Sequence, residues 1–144
     1  LEDDFIFLKE PDEFNIKLKK SLDELPPDWD LFYLGSNFVK GYDYEPTERY
    51  SNNLIKVNTG FCTHSLAYSS RGMDKILKSF KLNSELDILY FFEEYESIDW
   101  YLVREFQYEN NCFASDELLS SQAAGFSDIE NRFLDSGIVF VFSF

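Results

Sequence analysis

Apolar residues recur along this chain in two rhythms. Between Pro11 and Leu25, Phe14, Leu18, Leu22 and Leu25 stand four, four and three residues apart, the spacing that lays one apolar stripe along an amphipathic helix. Pro11 suits the first helical turn, Asp12 and Glu13 favour its positive end, and Pro26-Pro27 stops it. Before this helix, "LEDDFIFL" (1–8) reads as the end of a buried strand turning outward; after it, "DWDLFYLG" (28–35) reads as a short apolar strand closed by Gly35. Strand, helix and strand in this order are the syntax of an α/β fold. "TGFCTHSLAYSS" (59–70) reads as a further strand, and Ser69 or Ser70 caps a following helix whose Met73, Ile76, Leu77 and Phe80 share a face. Residues 81–110 are apolar on nearly every face and read as two short helices meeting near Ser97. Residues 36–58, polar and Tyr-rich with Gly41 and Pro46, read as one long connection, and "GIVFVFSF" (137–144) as a last run of strand length.

Composition narrows the class. A 44% hydrophobic and 19% aromatic content over 144 residues is that of a folding chain with room for one domain. The net charge of −14 leaves no Lys/Arg stripe to bind a phosphate backbone, so nucleic acid is excluded as the expected partner. No apolar run reaches the roughly 20 residues of a spanning helix, so no transmembrane segment is expected. Cys62 and Cys112 show no metal-ligand spacing and read as two reduced, half-buried thiols.

The chemistry concentrates at the start. In an extended chain Glu2 and Asp4 project to one face and Asp3 to the other. Two like charges about 4 Å apart repel by roughly 4 kcal/mol at an effective dielectric of about 20, a cost relieved by solvent, protonation or a cation. A divalent ion held by carboxylates at the end of an α/β strand also neutralises a diphosphate; a solvated charge cluster is the plain alternative. A calcium loop of D-x-D-x-D-G type does not occur, and one histidine without G-x-S-x-G leaves a nucleophilic triad without its parts.

The blocks "LEDDFIF", "LPPDWDLFYLG", "THSLAYSSRGMDKIL", "SIDWYL" and "CFASDELLSSQ…FSDIEN" follow one another in an order that resembles the family 25 glycosyltransferases, lipopolysaccharide sugar transferases and collagen β-galactosyltransferases. Ser97-Ile98-Asp99 stands where that family reads P-V-D, and the resemblance covers most of 1–131, leaving 132–144 unassigned. It implies an α/β, GT-A-like glycosyltransferase domain, a single partial domain over 1–144 lacking its N-terminal nucleotide-binding half. The implied activity is a metal-dependent, inverting transfer of a hexose, galactose foremost, from a UDP-sugar to a saccharide or to a hydroxylysine or other protein acceptor, with Mn²⁺ or Mg²⁺ as cofactor. A non-catalytic module that retains the fold is the alternative. The implied compartment is the cytoplasm for a bacterial or viral type and the endoplasmic reticulum lumen for a collagen-modifying type.

Carried onto this chain, the resemblance makes Asp4 the leading metal ligand, Glu2 its same-face partner and Asp3 a donor-side, ribose-contacting group. Asp99 becomes the general base or acceptor-binding acid, with helix N-capping by Ser97 or Asp99 an equal alternative. Asp128 becomes a donor-binding residue, against a capping role. His64 stands as a possible third metal ligand, with a satisfied core histidine the favoured reading. Trp29 and Tyr33 read as core, Asp30 as a tie from its loop to the acidic site, and Tyr42, Tyr44 and Tyr50 as rings available to an acceptor or simply exposed.

Overall fold

The segments Leu31–Tyr33 and Cys112–Ser115 run side by side in parallel, Leu31 opposite Cys112 and Tyr33 opposite Ala114, and every residue of both is buried. They form the middle of a computed structural model that describes residues 4–38, 48–80, 82–127 and 132–134. In chain order the elements are β1 (Phe5–Phe7), α1 (Pro11–Glu24), β2 (Leu31–Tyr33), β3 (Asn37–Phe38), β4 (Glu48–Arg49), β5 (Leu54–Lys56), β6 (Gly60–Phe61) and β7 (Leu66–Tyr68). There follow α2 (Ser70–Ser79), α3 (Glu85–Tyr95), α4 (Ile98–Tyr101) running into a π-helical segment at Leu102–Gln107, then β8 (Cys112–Ser115), β9 (Ser120–Gln122), β10 (Gly125–Ser127) and β11 (Arg132–Leu134).

The main sheet has the order β4-β5-β8-β2-β7, with β2 and β8 parallel and the other neighbours antiparallel. Side chains alternate across it as strand geometry dictates. Leu31, Tyr33, Ile55, Cys112 and Ala114 face one layer, where they pack with Ile76 of α2, Tyr101 of α4 and Leu102 and Phe106 of the π-helical segment. Phe32, Leu54 and Phe113 face the other, against Leu18 and Leu25 from α1 and its end. At about 1.5–3 kcal/mol for each fully buried large side chain, these two layers are the main favourable term of the fold. The result is a small mixed α/β domain; among the described residues the strand order shows no clear Rossmann or GT-A topology.

Helix ends follow their sequence signals. α1 begins at Pro11 and stops before Pro26, and Ser69 caps α2 by accepting the Gly72 N–H. The helix pair expected over 81–110 appears as α3 and α4, broken at Glu96 (φ 61°) and Ser97. Other readings need correction. α1 is rotated so that Ser21 lies against the sheet, bonded to Ser115 Oγ (3.0 Å) and the Asn53 carbonyl (3.1 Å), while Leu22 is exposed. Ser21 occupies that place because a small hydroxyl allows close approach of the helix to β8. The expected strand over 59–70 is two short strands, β6 and β7, separated by a turn in which Cys62 has a φ of 73°. Residues 54–57, read as connection, are a core strand and its end, with Leu54, Ile55 and Val57 buried. Among the described residues β1 pairs with β9 alone, and Phe7 is 60% exposed rather than buried. The run 137–144 lies outside the described residues.

Candidate functional site

The C-terminal ends of the parallel strands β2 and β8 are where open α/β sheets present their ligand sites. Three stretches meet there. The Leu34 N–H donates to the Ser65 carbonyl (3.1 Å), the Leu119 N–H to the Leu34 carbonyl (2.9 Å), and the Leu8 N–H to the Leu119 carbonyl (3.0 Å). Gly35 sits so close to the Ser120 carbonyl that a Cβ would collide with it. The Ser65 and Ser120 hydroxyls share a buried hydrogen bond of 2.7 Å, and His64 Nε2 stands 3.5 Å from Ser120 Oγ. His64 is buried, in keeping with a core position.

β1 carries Asp4 at the end of the β1–β9 pair away from Leu8. Phe5 pairs with Gln122, and the Ala123 N–H closes the ladder onto the Asp4 carbonyl at 2.7 Å. Gln122 Nε2 donates to Asp4 Oδ2 at 3.2 Å. Asp4 Oδ1 is buried and has no hydrogen-bond partner among the described residues. Glu2, Asp3 and Asp128 lie outside the described residues.

Asp99 arrives from a different element. It stands in the first turn of α4, where its Oδ2 accepts the Cys62 N–H at 2.9 Å, and so holds the turn that carries the positive φ. Ser97 is the N-cap residue of α4, but its side chain makes no capping bond. Asp99 thus bonds across to the 60–63 turn. Beside it, the Phe61 ring meets Trp100 edge-on at 4.8 Å, and the Arg104 guanidinium lies over Trp100 at 4.7 Å.

The same turn is fixed from below by Gln107, which sequence reading passed over. Its Oε1 accepts the Gly60 N–H (2.8 Å), and its Nε2 donates to the Gly60 carbonyl (2.7 Å) and to Tyr33 Oη (2.8 Å). The wide π-helical turn places Phe106 and Gln107 side by side in the interior. Burial, then the charges of Cys112 and Asp99, push the Tyr33 phenol well above its ordinary range, so it serves as a neutral hydrogen-bonding group. A lone amide following an apolar residue at helical spacing, as in "VREFQ", was the available signal.

Asp30 belongs elsewhere. Fully buried, it lies at the start of β2, where it accepts from Arg71 Nε (2.9 Å), Lys75 Nζ (2.7 Å) and the Asn111 N–H (3.0 Å). It ties α2 and the entry of β8 to β2, and Asp4 is not among these partners. Near that opposite end an open cleft of about 370 Å³ is lined by Asp28, Glu48, Lys56 and Asn111 beside Tyr50 and Phe113. Tyr50 packs edge-on against Phe113 at 4.9 Å; Tyr42 and Tyr44 lie outside the described residues. Neither cysteine is in a disulfide; Cys62 is half-buried and Cys112 buried, with burial pushing the Cys112 thiol up to about 12.

Among the described residues no three His, Cys, Asp or Glu side chains are grouped to hold a metal ion, and no helix is long and apolar enough to cross a membrane. Fold and site define a mixed α/β domain with two separately held carboxylates, Asp4 beside the β1–β9 pair and Asp99 on α4. No protein-family model matches the chain, and neither does any curated protein or solved structure.

Proposed function

We propose that this chain serves the metal-dependent, inverting transfer of a hexose, galactose foremost, from a UDP-sugar to a saccharide or protein acceptor. The observation that carries the reading is Asp4 Oδ1, a buried carboxylate oxygen without a hydrogen-bond donor among the described residues. Such an oxygen has lost its hydration and gained nothing in return, an imbalance that a bound cation offsets. Asp4, with Glu2 two residues before it, would hold Mn²⁺ or Mg²⁺, and the ion would neutralise the charge building on the departing UDP. Asp3 and Asp128 complete the donor side in this reading. The order of the five blocks that resemble family 25 supports it.

In the transfer, the acceptor hydroxyl oxygen bonds to the anomeric carbon while the bond from that carbon to the diphosphate breaks, its electron pair leaving with UDP. The hydroxyl proton passes to a carboxylate, the role assigned to Asp99. Calorimetric titration of the chain with Mn²⁺, and then with UDP-galactose, tests the reading. Asp4→Asn is expected to weaken Mn²⁺ binding by at least about 10-fold; a variant that binds Mn²⁺ as the parent does overturns it.

One observation favours a non-catalytic module instead: Asp99 Oδ2 already accepts the Cys62 N–H. The two roles separate in Asp99→Asn. A base gives a loss of transfer of about 10²-fold or more with donor binding unchanged, whereas an anchor gives a lower melting temperature and no transfer to lose.

A further inference from the structure

α3 is the element whose surface the rest of the described fold leaves unexplained. Its core side is Phe91 and Tyr95, which pack among Phe80 and Tyr101. On its outer side Leu86, Leu89 and Tyr90 are 61%, 60% and 64% exposed, and Ile88 and Phe92 widen the apolar surface on one flank. A surface helix ordinarily turns a polar face to water, and one that is apolar nearly all round is ordinarily covered. These side chains leave on the order of several hundred Å² of contiguous apolar surface open, the size that marks an interaction site on a soluble domain.

Charge decides what covers it. Leu86, Leu89, Tyr90 and Glu93 fall at i, i+3, i+4 and i+7 and so form one outward stripe, with Glu93 at its C-terminal end. On the helical wheel Glu85 borders this stripe on one side and Glu94 on the other. α3 contains no Lys, Arg or His, and Arg104, which reaches its C-terminal end, bonds the Glu94 backbone carbonyl rather than a carboxylate. A second copy of α3 laid along the stripe in either direction would bring carboxylate against carboxylate at both ends of the seam, Glu85 at one end and Glu93 and Glu94 at the other. We infer that the outer face of α3 is a docking site for a cationic amphipathic helix of a partner protein, whose apolar side covers Leu86, Leu89 and Tyr90 and whose Lys or Arg side chains meet Glu85, Glu93 and Glu94. This is helix-in-groove recognition read by anchors at helical spacing, with the acidic border selecting the partner's sign.

The test is independent of sugar transfer. The 144-residue chain is titrated calorimetrically with a synthetic amphipathic helix of about 18 residues built from Leu and Lys, and with its Leu/Glu counterpart. The Lys peptide is expected to bind at micromolar strength and the Glu peptide not at all. Leu89→Ser/Tyr90→Ser, at positions already open to water, is expected to keep the native circular dichroism and to weaken the Lys peptide by about 10-fold or more. Glu93→Gln/Glu94→Gln is expected to flatten the dependence of that binding on salt. Equal binding of both peptides, or binding that the Leu89/Tyr90 variant leaves unchanged, overturns the inference. So does sedimentation showing a dimer that the same variant dissociates, since the occupant is then a second copy.

Discussion

Asp30 has no exposed surface, and its carboxylate takes three donors, from Arg71, Lys75 and the Asn111 backbone. Burial alone would push its carboxyl up; Lys75, the Asn111 N–H and Arg71 together outweigh burial and leave it below the ordinary carboxylate range. The sign of the pH dependence follows. A carboxyl with a lowered pKa in the folded state contributes stability that is fully present above its unfolded value near about 3.9 and is lost as pH falls through the folded value. Replacing Asp30 with Asn is expected to cost about 2 kcal/mol at pH 7, toward the low end for a buried pair because the side chains of Arg71 and Lys75 are 44% and 38% exposed and can turn to water. Urea unfolding at pH 7 and at about pH 3 checks this: the gap between parent and variant should shrink at the lower pH, and a gap that stays constant assigns the loss to packing instead. "DWD" invited a link from Asp30 to the acidic start of the chain. Arg71 and Lys75, four apart on α2, are the cations that claim it, a pairing hidden in sequence by the 41 positions that separate Asp30 from Arg71.

At the scale of elements, the crossing of the loop after β2 over the start of β9 is set by one missing methyl. A Cβ on Gly35 would meet the backbone carbonyl of Ser120, which cannot swing aside as a side chain does. Gly35→Ala is therefore expected to lower stability by about 1–3 kcal/mol. It should also shift the amide resonances of Ser120 to Gln122 more than those of β5; a variant with parental stability would show that the crossing tolerates a wider gap. Gly35 was legible as a strand end, not as a contact. α1 and α2 were legible because proline, serine caps and period-four spacing act locally. The phase of α1 was not, since Leu22 fits the stripe on spacing while the close approach to β8 selects Ser21. β5 and β8 escaped for a different reason. With three and four residues, packed from both faces, they show neither alternation nor length, and Lys56 breaks the apolar run of the first.

For the whole molecule, the stability is unevenly placed. β2, β5 and β8 are covered on both faces, whereas β1–β9, β3–β6 and β10–β11 are two-stranded pairs outside the main sheet. Two-stranded pairs hold poorly by themselves, so the edge that carries Asp4 depends on its anchors to the main sheet, Leu8 to Leu119 and Leu119 to Leu34. This also sets what the sequence revealed of the site. Asp4 and Asp99 were named as candidates from their residue type and neighbours, but the Gln122 amide that meets Asp4, and the Cys62 turn with its Gln107 support that meets Asp99, arise from packing between segments far apart in the chain. Binding regions are drawn from the low-stability end of a fold because they must adjust to a ligand. Hydrogen exchange should then resolve two classes of amide. Those of Phe32, Tyr33, Phe113 and Ala114 are expected to exchange only on global unfolding, and those of Ile6 and Ser121 through local opening, faster by about 10²-fold or more at neutral pH. If a divalent cation binds Asp4, Mg²⁺ at saturation, free of the paramagnetism of Mn²⁺, should slow the second class selectively, because a ligand that binds only the closed edge stabilises it by mass action. Equal protection of β1 and β8 without a ligand would show instead that the edge folds and unfolds as one unit with the sheet.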